Sequence, residues 1–184
     1  MTATIVVGSL ELRQFRAGDE ADLFAVRNHE SVRGFMADPR PLDYAAHLAW
    51  VQANLLEGDR IVLFIVRKRG EPVGITLLKR IAEDTAEIGV MFREAGRHTT
   101  AATHAAVATV CYAFHHLALA QLTSYVVQAH PRAVAINSAF GGREVASDKP
   151  GMVQFRATRE ECLGNRNYLR VLQRIQPRMR ITVE

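Results

Sequence analysis

The sequence predicts a mixed α/β fold, in which a central mixed β-sheet carries helices on both faces within a single domain spanning residues 1–184. Three short strand-like segments follow one another through tight turns between residues 60 and 92, which indicates antiparallel neighbours. A long helical stretch then separates the strand at 85–92 from the next one at 121–128, and such a crossover indicates a parallel pair. A chain of 184 residues with 48% hydrophobic content is long enough to bury one sizeable core.

The front part of the chain predicts one strand and two helices. Residues 10–15, LELRQF, alternate apolar and polar side chains and indicate a first strand. Gly18-Asp19 forms a turn before a short helix at 21–28. Asp43 is positioned to cap an amphipathic helix that ends at Gly58.

The middle of the chain predicts the centre of the sheet. Residues 60–67, RIVLFIVR, are nearly all apolar, as in a strand buried on both faces. A turn at 68–71 leads back into a strand at 72–79, and strands at 85–92 and 121–128 flank the long helix within 93–119.

The last third predicts a short helix, a hairpin and a terminal helix. The helix at 132–140 is closed by Gly141-Gly142, and the hairpin pairs 143–146 with 152–158. The terminal helix spans 160–175. We therefore expect a core of about 10–161, followed by a basic helix and tail at 162–184.

Composition limits the classes of partner. A net charge of +4 and a pI of about 9.4 suit an anionic small ligand, with ordinary solvated surface charge as the alternative. This mild surplus is weak evidence for nucleic acid, which usually requires a dense basic patch, so no nucleic-acid partner is expected. No apolar run approaches the roughly 18 residues of a membrane span, so no membrane partner is expected either. Cys111 and Cys162 are isolated, which predicts a reducing, cytoplasmic location and no metal site.

The segment before the long helix has the properties of an anion site. The first N–H groups of a helix lack internal partners, and the helix dipole adds partial positive charge there. Small residues would let a phosphate approach the backbone, and this segment has five: Gly96, Thr100, Ala101, Ala102 and Thr103. Positive or hydrogen-bond-donating side chains are also present, at Arg93, Arg97 and His98. The alternative is an ordinary helix cap at Thr99 or Thr100 after a glycine turn.

Several short motifs around this loop follow one family pattern. They are Ala86-Glu87-Ile88-Gly89-Val90, Arg97 in the loop, Tyr112-Ala113-Phe114, Arg132-Ala133 and Phe140-Gly141-Gly142. On these motifs the chain resembles the GNAT superfamily of acyl-CoA-dependent N-acyltransferases, over roughly residues 10–161. The stretch from Arg27 to Arg33 is similar to acyltransferases of protein N-termini and of amino sugars, the flagellin-glycosylation type being the nearest.

This resemblance implies acetyl-CoA, or another acyl-CoA, as co-substrate and no metal. By the family pattern, Arg97 and the amides of His98, Thr99, Thr100, Ala101, Ala102 and Thr103 hold the diphosphate. Val90, Met91 and Phe92 would hold the thioester carbonyl through their backbone amides. His130 and Asn137 stand where the family commonly has Asn and Tyr, and His98 and Thr100 replace loop glycines.

The resemblance also implies the catalytic groups. Glu87 is the candidate base that takes the proton of the attacking amine. The alternative for Glu87 is a sheet-surface carboxylate paired with a basic neighbour. Asn137 cannot serve as the acid for the leaving thiolate, so Tyr125 and Tyr112 are candidate substitutes, with a place in or near the core as their alternative.

The acceptor pocket is predicted from the front of the chain. Arg27, Asn28 and Arg33 are candidate acceptor-binding residues, and arginine there would suit a phosphate or carboxylate. Helix capping and surface solvation are the alternative. Phe35 and Trp50 are predicted to lie in the core.

The terminal helix carries arginines at positions 166, 170 and 174. They would form an arm for an acidic partner or a second subunit, as in a homodimer. Alternatively, the helix packs on its own domain with a solvated basic face.

The resemblance therefore implies an N-acyltransferase that moves an acetyl or other acyl group to a primary amine, of a small molecule such as an amino sugar. The alternative is a catalytically degenerate module on the same fold that acts by binding.

Overall fold

A computed structural model describes residues 2–36, 38–93 and 100–184. Its strands form one nine-stranded sheet with the spatial order β7-β8-β6-β5-β4-β3-β2-β1-β9. The strands are β1 Ala3–Val7, β2 Leu10–Gln14, β3 Ile61–Lys68, β4 Glu71–Ala82, β5 Thr85–Phe92, β6 Gln121–Val127, β7 Arg143–Val145, β8 Met152–Thr158 and β9 Met179–Val183.

The described helices connect and cover this sheet. They are α1 Glu20–Arg27, α2 Glu30–Arg33, α3 Tyr44–Val51, α4 Ala101–His115, α5 Pro131–Ala139, α6 Arg159–Gly164 and α7 Arg166–Ile175. A π-helical segment, Gln52–Leu56, continues α3, and a 3₁₀ turn, Gln176–Arg178, follows α7. The predicted cap of α3 is confirmed, since the Asp43 carboxylate accepts a 2.7 Å bond from the Ala46 N–H.

The strand directions confirm the predicted mixed sheet. Strands β1 to β5 pair in sequence order and are antiparallel. Strand β6 pairs parallel with β5, as the long crossover through α4 requires, and antiparallel with β8.

Apolar cores lie on both faces of the sheet, which confirms the prediction of helices on both sides. Helices α4 and α7 cover one face, where Ala105 and Tyr168 pack against Phe64 and Leu78. Helices α1 and α3 cover the other face through apolar contacts with β3 and β4, made by Leu23, Val26, Val51, Leu63, Ile65, Ile75 and Leu77.

The two ends of the chain extend the sheet beyond the predicted strands. Strand β1 pairs with β9, and Ile5 lies opposite Ile181. The sequence prediction contained neither of these two strands, because their pairing joins residues almost a whole chain length apart.

The terminal helix also differs from its prediction. It divides into α6 and α7 at Asn165, whose side chain accepts bonds from the N–H groups of Asn167 and Tyr168. Tyr168 and Ile175 are buried, so the alternative of packing on its own domain is confirmed.

One irregularity of the sheet bears on the site. Lys79 pairs with Glu87 and Ala82 pairs with Thr85, so two residues of β4 oppose a single residue of β5. This is a β-bulge, and Arg80 within it has a φ of 54°. A bulge re-aims side chains that would otherwise alternate between the two faces of the sheet.

Candidate active site

The sheet opens between β5 and β6. Their parallel ladder joins Thr85 to Gln121, Ala86 to Leu122 and Glu87 to Thr123, and it ends there. Beyond Glu87, β5 continues to pair with β4 as far as Phe92. Beyond Thr123, β6 continues to pair with β8. The two strands therefore separate, and the backbone groups of residues 88–92 that point away from β4 face a cleft.

A cavity of about 620 Å³ occupies this cleft. Its volume lies in the range of sites that bury a small molecule or cofactor. The β5 residues 87–92 and the β6 residues 122–127 form two of its walls. Ala102, Ala106 and Val110 recur every four residues along α4, so a stripe of one helix face forms another wall.

The cavity is open to both faces of the sheet. Ala86, Ile88 and Phe92 pack in the core that α4 covers, whereas Met91 packs in the core of α1 and α3. By strand alternation Glu87 shares the face of Met91. A molecule in the cleft therefore reaches α4 on one side and Glu87 on the other.

Glu87 is a buried carboxylate held by cations. It is 6% exposed, and its Oε1 lies 2.8 Å from Nζ of Lys79. Its Oε2 accepts a 3.1 Å bond from Nη1 of Arg80 and lies 3.8 Å from Nζ of Lys149. The bulge explains this arrangement, since the consecutive residues Lys79 and Arg80 both reach one side chain. Glu87 thus lines the cavity as the base prediction requires, and it also has the basic neighbours that the alternative expected.

A second cluster adjoins Glu87 on β6 and the β7–β8 connection. The hydroxyl of Tyr125 donates a 2.8 Å bond to Oδ1 of Asp148. The Lys149 ammonium stands 3.4 Å from the centre of the Tyr125 ring. The hydrogen bond to Asp148 raises the pKa of Tyr125 and lowers that of Asp148. Desolvation lowers the pKa of Lys149, and the nearby charges of Arg80 and Lys79 add to that lowering while Glu87 opposes it.

Asn137 and His130 line the cavity from α5 and its cap. Oδ1 of Asn137 accepts a 2.7 Å bond from the Ser124 hydroxyl, and its Nδ2 donates to the Ala133 carbonyl. Nδ1 of His130 accepts from the Ala133 N–H, which caps α5. The His130 ring lies 4.0 Å from the ring of Phe35, measured between centroids.

Phe35 is a site residue that the sequence prediction missed. It was predicted to lie in the core, but it is 39% exposed and lines the cavity with its neighbours Ser31, Val32 and Met36. Its position after a helix of only four residues gave no periodic signal. Trp50, by contrast, packs against the core of α1 and α3 as predicted.

The predicted acceptor residues do not line the cavity: Arg27, Asn28 and Arg33. The Arg27 guanidinium lies over the Trp50 ring at 4.4 Å, and Nη1 is 3.4 Å from Nδ1 of His47. Asn28 accepts a bond from the Leu42 N–H, and Arg33 donates to the carbonyls of Asn28 and Pro39. Asn28 and Arg33 thus hold the segment between α2 and α3, whereas Arg27 packs against α3 itself. Their role in acceptor binding stays a prediction.

The predicted diphosphate loop is described only in part. Arg97, His98 and Thr99 lie outside the described residues. Thr100 is the N-cap of α4, without a side-chain capping bond, and Ala101 follows it at 4% exposure. Ala102 and Thr103 line the cavity, so the start of α4 adjoins the cleft as the anion-site prediction requires.

The described residues contain no group of three or more His, Cys, Asp and Glu side chains placed to hold a metal ion. Within the same residues, no helix combines the length and the apolar character needed to cross a membrane.

Comparison with known proteins identifies the family pattern over most of the chain. The family model described as "Acetyltransferase (GNAT) domain" matches residues 9–143. No curated protein sequence matches the chain significantly.

Solved structures share the fold at low sequence identity. The spermidine N-acetyltransferase from Vibrio cholerae, in complex with CoA and spermine, superposes with a TM-score of 0.72 and 17% identity, covering 84% of this chain and 98% of that one. RimJ of Mycobacterium smegmatis, in complex with CoA-disulfide, superposes with a TM-score of 0.71 and 18% identity, covering 97% of this chain and 96% of that one. A probable GNAT-family acetyltransferase from Chromobacterium violaceum superposes with a TM-score of 0.70 and 18% identity, covering 83% of this chain and 89% of that one. At these identities the likeness shows the fold alone.

Proposed function

Because the chain belongs to the GNAT acetyltransferase family, we propose that it transfers an acetyl group from acetyl-CoA to a primary amine of a small molecule. One observation carries this proposal: the separation of β5 from β6 beyond Glu87 and Thr123, which opens a cavity between the start of α4 and a buried carboxylate. Both substrates of an acyl transfer have to meet in one place, and this cleft is reachable from both faces of the sheet.

The wall made by α4 supports acyl-CoA as the donor. Ala102 and Ala106 leave room beside the helix, so a narrow chain can lie between α4 and β5. The cofactor supplies the activated thioester. The amides of Val90 and Phe92 are proposed to hold its carbonyl. The predicted third amide, that of Met91, points to β4 by strand alternation, as does the Arg93 N–H that bonds to the Val73 carbonyl. The amides of Thr100, Ala101, Ala102 and Thr103 are proposed to lie near its diphosphate. Arg97, His98 and Thr99 are proposed to complete that diphosphate site.

Glu87 is the proposed base. A carboxylate has about four lone-pair directions, so the contacts with Lys79, Arg80 and Lys149 leave room for one further hydrogen bond. The amine, or a water beside it, would occupy that direction and lose its proton to Glu87. Placement of the amine next to the thioester supplies a large part of the rate, because binding both reactants removes most of their translational freedom.

The leaving thiolate has no tyrosine at the position of Asn137. The Asn137 carboxamide is already bonded to Ser124 and Ala133 and has no acidic proton to give. It is proposed to shape the wall of the donor site, together with His130. Tyr125 lines the same cavity, but its hydroxyl proton is directed to Asp148. Thiolate departure is therefore proposed to proceed with water as the proton source.

The occupied carboxylate favours a second candidate function. If Lys79, Arg80 and Lys149 hold Glu87 permanently, the protein would bind acyl-CoA without transferring the acyl group. This degenerate binding module has the same cleft and differs only in turnover.

Release of free CoA from acetyl-CoA, with and without a panel of primary amines, tests the proposal. Amine-dependent release, with an acetylated product of the expected mass, supports the transferase. Binding of acetyl-CoA by calorimetry without release for any amine supports the binding module. Absence of acetyl-CoA binding contradicts both.

A further inference from the structure

The cations around Glu87 outnumber the charge that they neutralise. Lys79, Arg80 and Lys149 all lie within 3.8 Å of its carboxylate. The nearby Asp148 accepts the Tyr125 hydroxyl. Lys79, Lys149 and Tyr125 line the cavity, so this positive surplus faces the space where an acceptor would lie.

The backbone is deformed in a way that gathers these charges. Consecutive strand residues normally point to opposite faces, yet Lys79 and Arg80 converge because of the bulge. Arg80 has a φ of 54°, a left-handed conformation that is unfavourable for a non-glycine residue. Strained residues of this kind concentrate at functional sites. A single lysine opposite Glu87 would be enough for a structural ion pair, so the second and third cations need another explanation.

We propose that the acceptor is a small amine that also carries an acidic group, a carboxylate or a phosphate, and that Lys79, Arg80 and Lys149 bind that group beside Glu87. This inference rests on the proposed function and specifies its acceptor. The amine of such a molecule faces Glu87 while its acidic group faces the cations, so one cluster recognises both charges. Charge-assisted hydrogen bonds from lysine and arginine suit both kinds of acid.

The lowered pKa of Lys149 is consistent with this arrangement. Desolvation is the largest cause of the lowering, the charge of Glu87 opposes it, and the charges of Arg80 and Lys79 add to it. An acidic group placed among the three cations would relieve this repulsion. A polyamine would increase it, so acceptors of the spermidine type are disfavoured even though a spermidine acetyltransferase shares the fold.

Matched amine pairs test the inference. Phosphoethanolamine is compared with ethanolamine, β-alanine with β-alaninamide, and spermidine is added as a polycation. The first member of each pair carries the acid, and the two pairs separate a preference for phosphate from one for carboxylate. The measurement is kcat/KM for acetyl transfer at low and high salt.

We expect the acid-bearing member of at least one pair to be favoured about tenfold or more, the size of one or two charge-assisted contacts. The preference should fall with salt. Lys149→Gln should reduce it several-fold. Arg170→Gln removes the same charge on the exposed face of α7 and should leave the ratio unchanged.

A second readout keeps the inference testable without turnover. With saturating CoA present, phosphoethanolamine should raise the melting temperature more than ethanolamine does, and Lys149→Gln should abolish the difference. Transfer to amines with no preference for acids, or with spermidine preferred, overturns this inference and leaves the proposed function standing. Absence of transfer to any amine refutes the proposed function, and absence of the melting-temperature difference then refutes this inference as well.

Discussion

Glu87 and Thr123 form the last residue pair of the parallel β5–β6 ladder, and the cavity opens directly beyond them. The buried carboxylate therefore stands at the point where the sheet separates. It is close to the space between the strands, and it is still fixed by the paired part of the sheet on both sides. A group that must meet a substrate in a defined geometry is well placed there.

Glu87→Gln tests the proposed base. The substitution keeps the shape of the side chain but removes its ability to take a proton, so kcat should fall by about 10²–10⁴-fold. The affinity for CoA should change little, because the proposed donor site lies along α4 and residues 90–92 of β5. Steady-state kinetics and calorimetry measure the two quantities. Glu83→Gln, in the exposed β4–β5 turn, is the matched control. A folded Glu87→Gln protein with full kcat would remove Glu87 from the chemistry.

A buried hydroxyl pair joins α4 to the sheet. Thr109 donates a 2.8 Å bond to Thr76, and both residues are fully buried. Thr109→Val leaves the Thr76 hydroxyl unpaired and should lower the free energy of unfolding by about 1–3 kcal/mol. Urea denaturation measures the change.

The double variant Thr76→Val/Thr109→Val should recover part of that loss, because no unpaired hydroxyl remains. Thr182→Val, on the exposed side of β9, is the control and should have little effect. If the two single losses simply add in the double variant, the hydrogen bond is not what stabilises this contact.

His104 should make stability depend on pH. Desolvation lowers its pKa from 6.5, and the charges of Arg178 and Arg174 lower it further. The unfolded chain then binds the His104 proton more readily than the folded chain does. The contribution of neutral His104 to the free energy of unfolding is therefore complete above pH 6.5, and it is lost as the pH falls towards the lower pKa of His104 in the folded protein.

His104→Gln should therefore show a smaller loss of stability than the wild type between about pH 7 and pH 5, a window above most carboxylate titration. His47, whose pKa burial also lowers, remains in both proteins and cancels in the difference. Equal losses in the two proteins would contradict the assignment.

The two thiols should react slowly in the folded protein. Burial raises the pKa of Cys111, and burial followed by the charge of Glu161 raises that of Cys162 to about 11. A thiol must ionise to attack a disulfide reagent, so both should be protected at about pH 8 and react after unfolding in guanidinium. Absorbance after addition of an aromatic disulfide measures this. Fast reaction of both thiols in the native protein would contradict the burial.

Much of the fold could be predicted from local pattern. Strands β5 and β8 have the predicted bounds, because each is a run of strand-forming residues between turn signals. Pairing of β1 with β9 could not be predicted, since it depends on contacts between the two ends of the chain. The bulge at Arg80 gave no signal either, because no glycine marks its positive φ.

The candidate site could be predicted where the family pattern has a motif, along β5, α4 and α5 with its cap. Glu87, Val90 and Ala102 were found from the family pattern and line the cavity. Lys79, Lys149 and Phe35 were not found, because they reach the cavity from three separate elements that share no motif. Arg27, Asn28 and Arg33 were chosen for their chemistry, and the structure places them in contacts that a sequence pattern does not reveal.

Binding of CoA to a cleft-filling variant tests the central claim most directly. Ala106 lines the cavity on α4, so Ala106→Leu places extra methyl groups where the donor is proposed to lie. Ala25→Leu makes the same change on the exposed face of α1. By isothermal titration calorimetry, the wild type and Ala25→Leu should bind CoA alike, and folded Ala106→Leu should bind it about tenfold more weakly or worse. Equal affinity in all three proteins, or no binding by the wild type, would contradict an acyl-CoA site between β5 and β6.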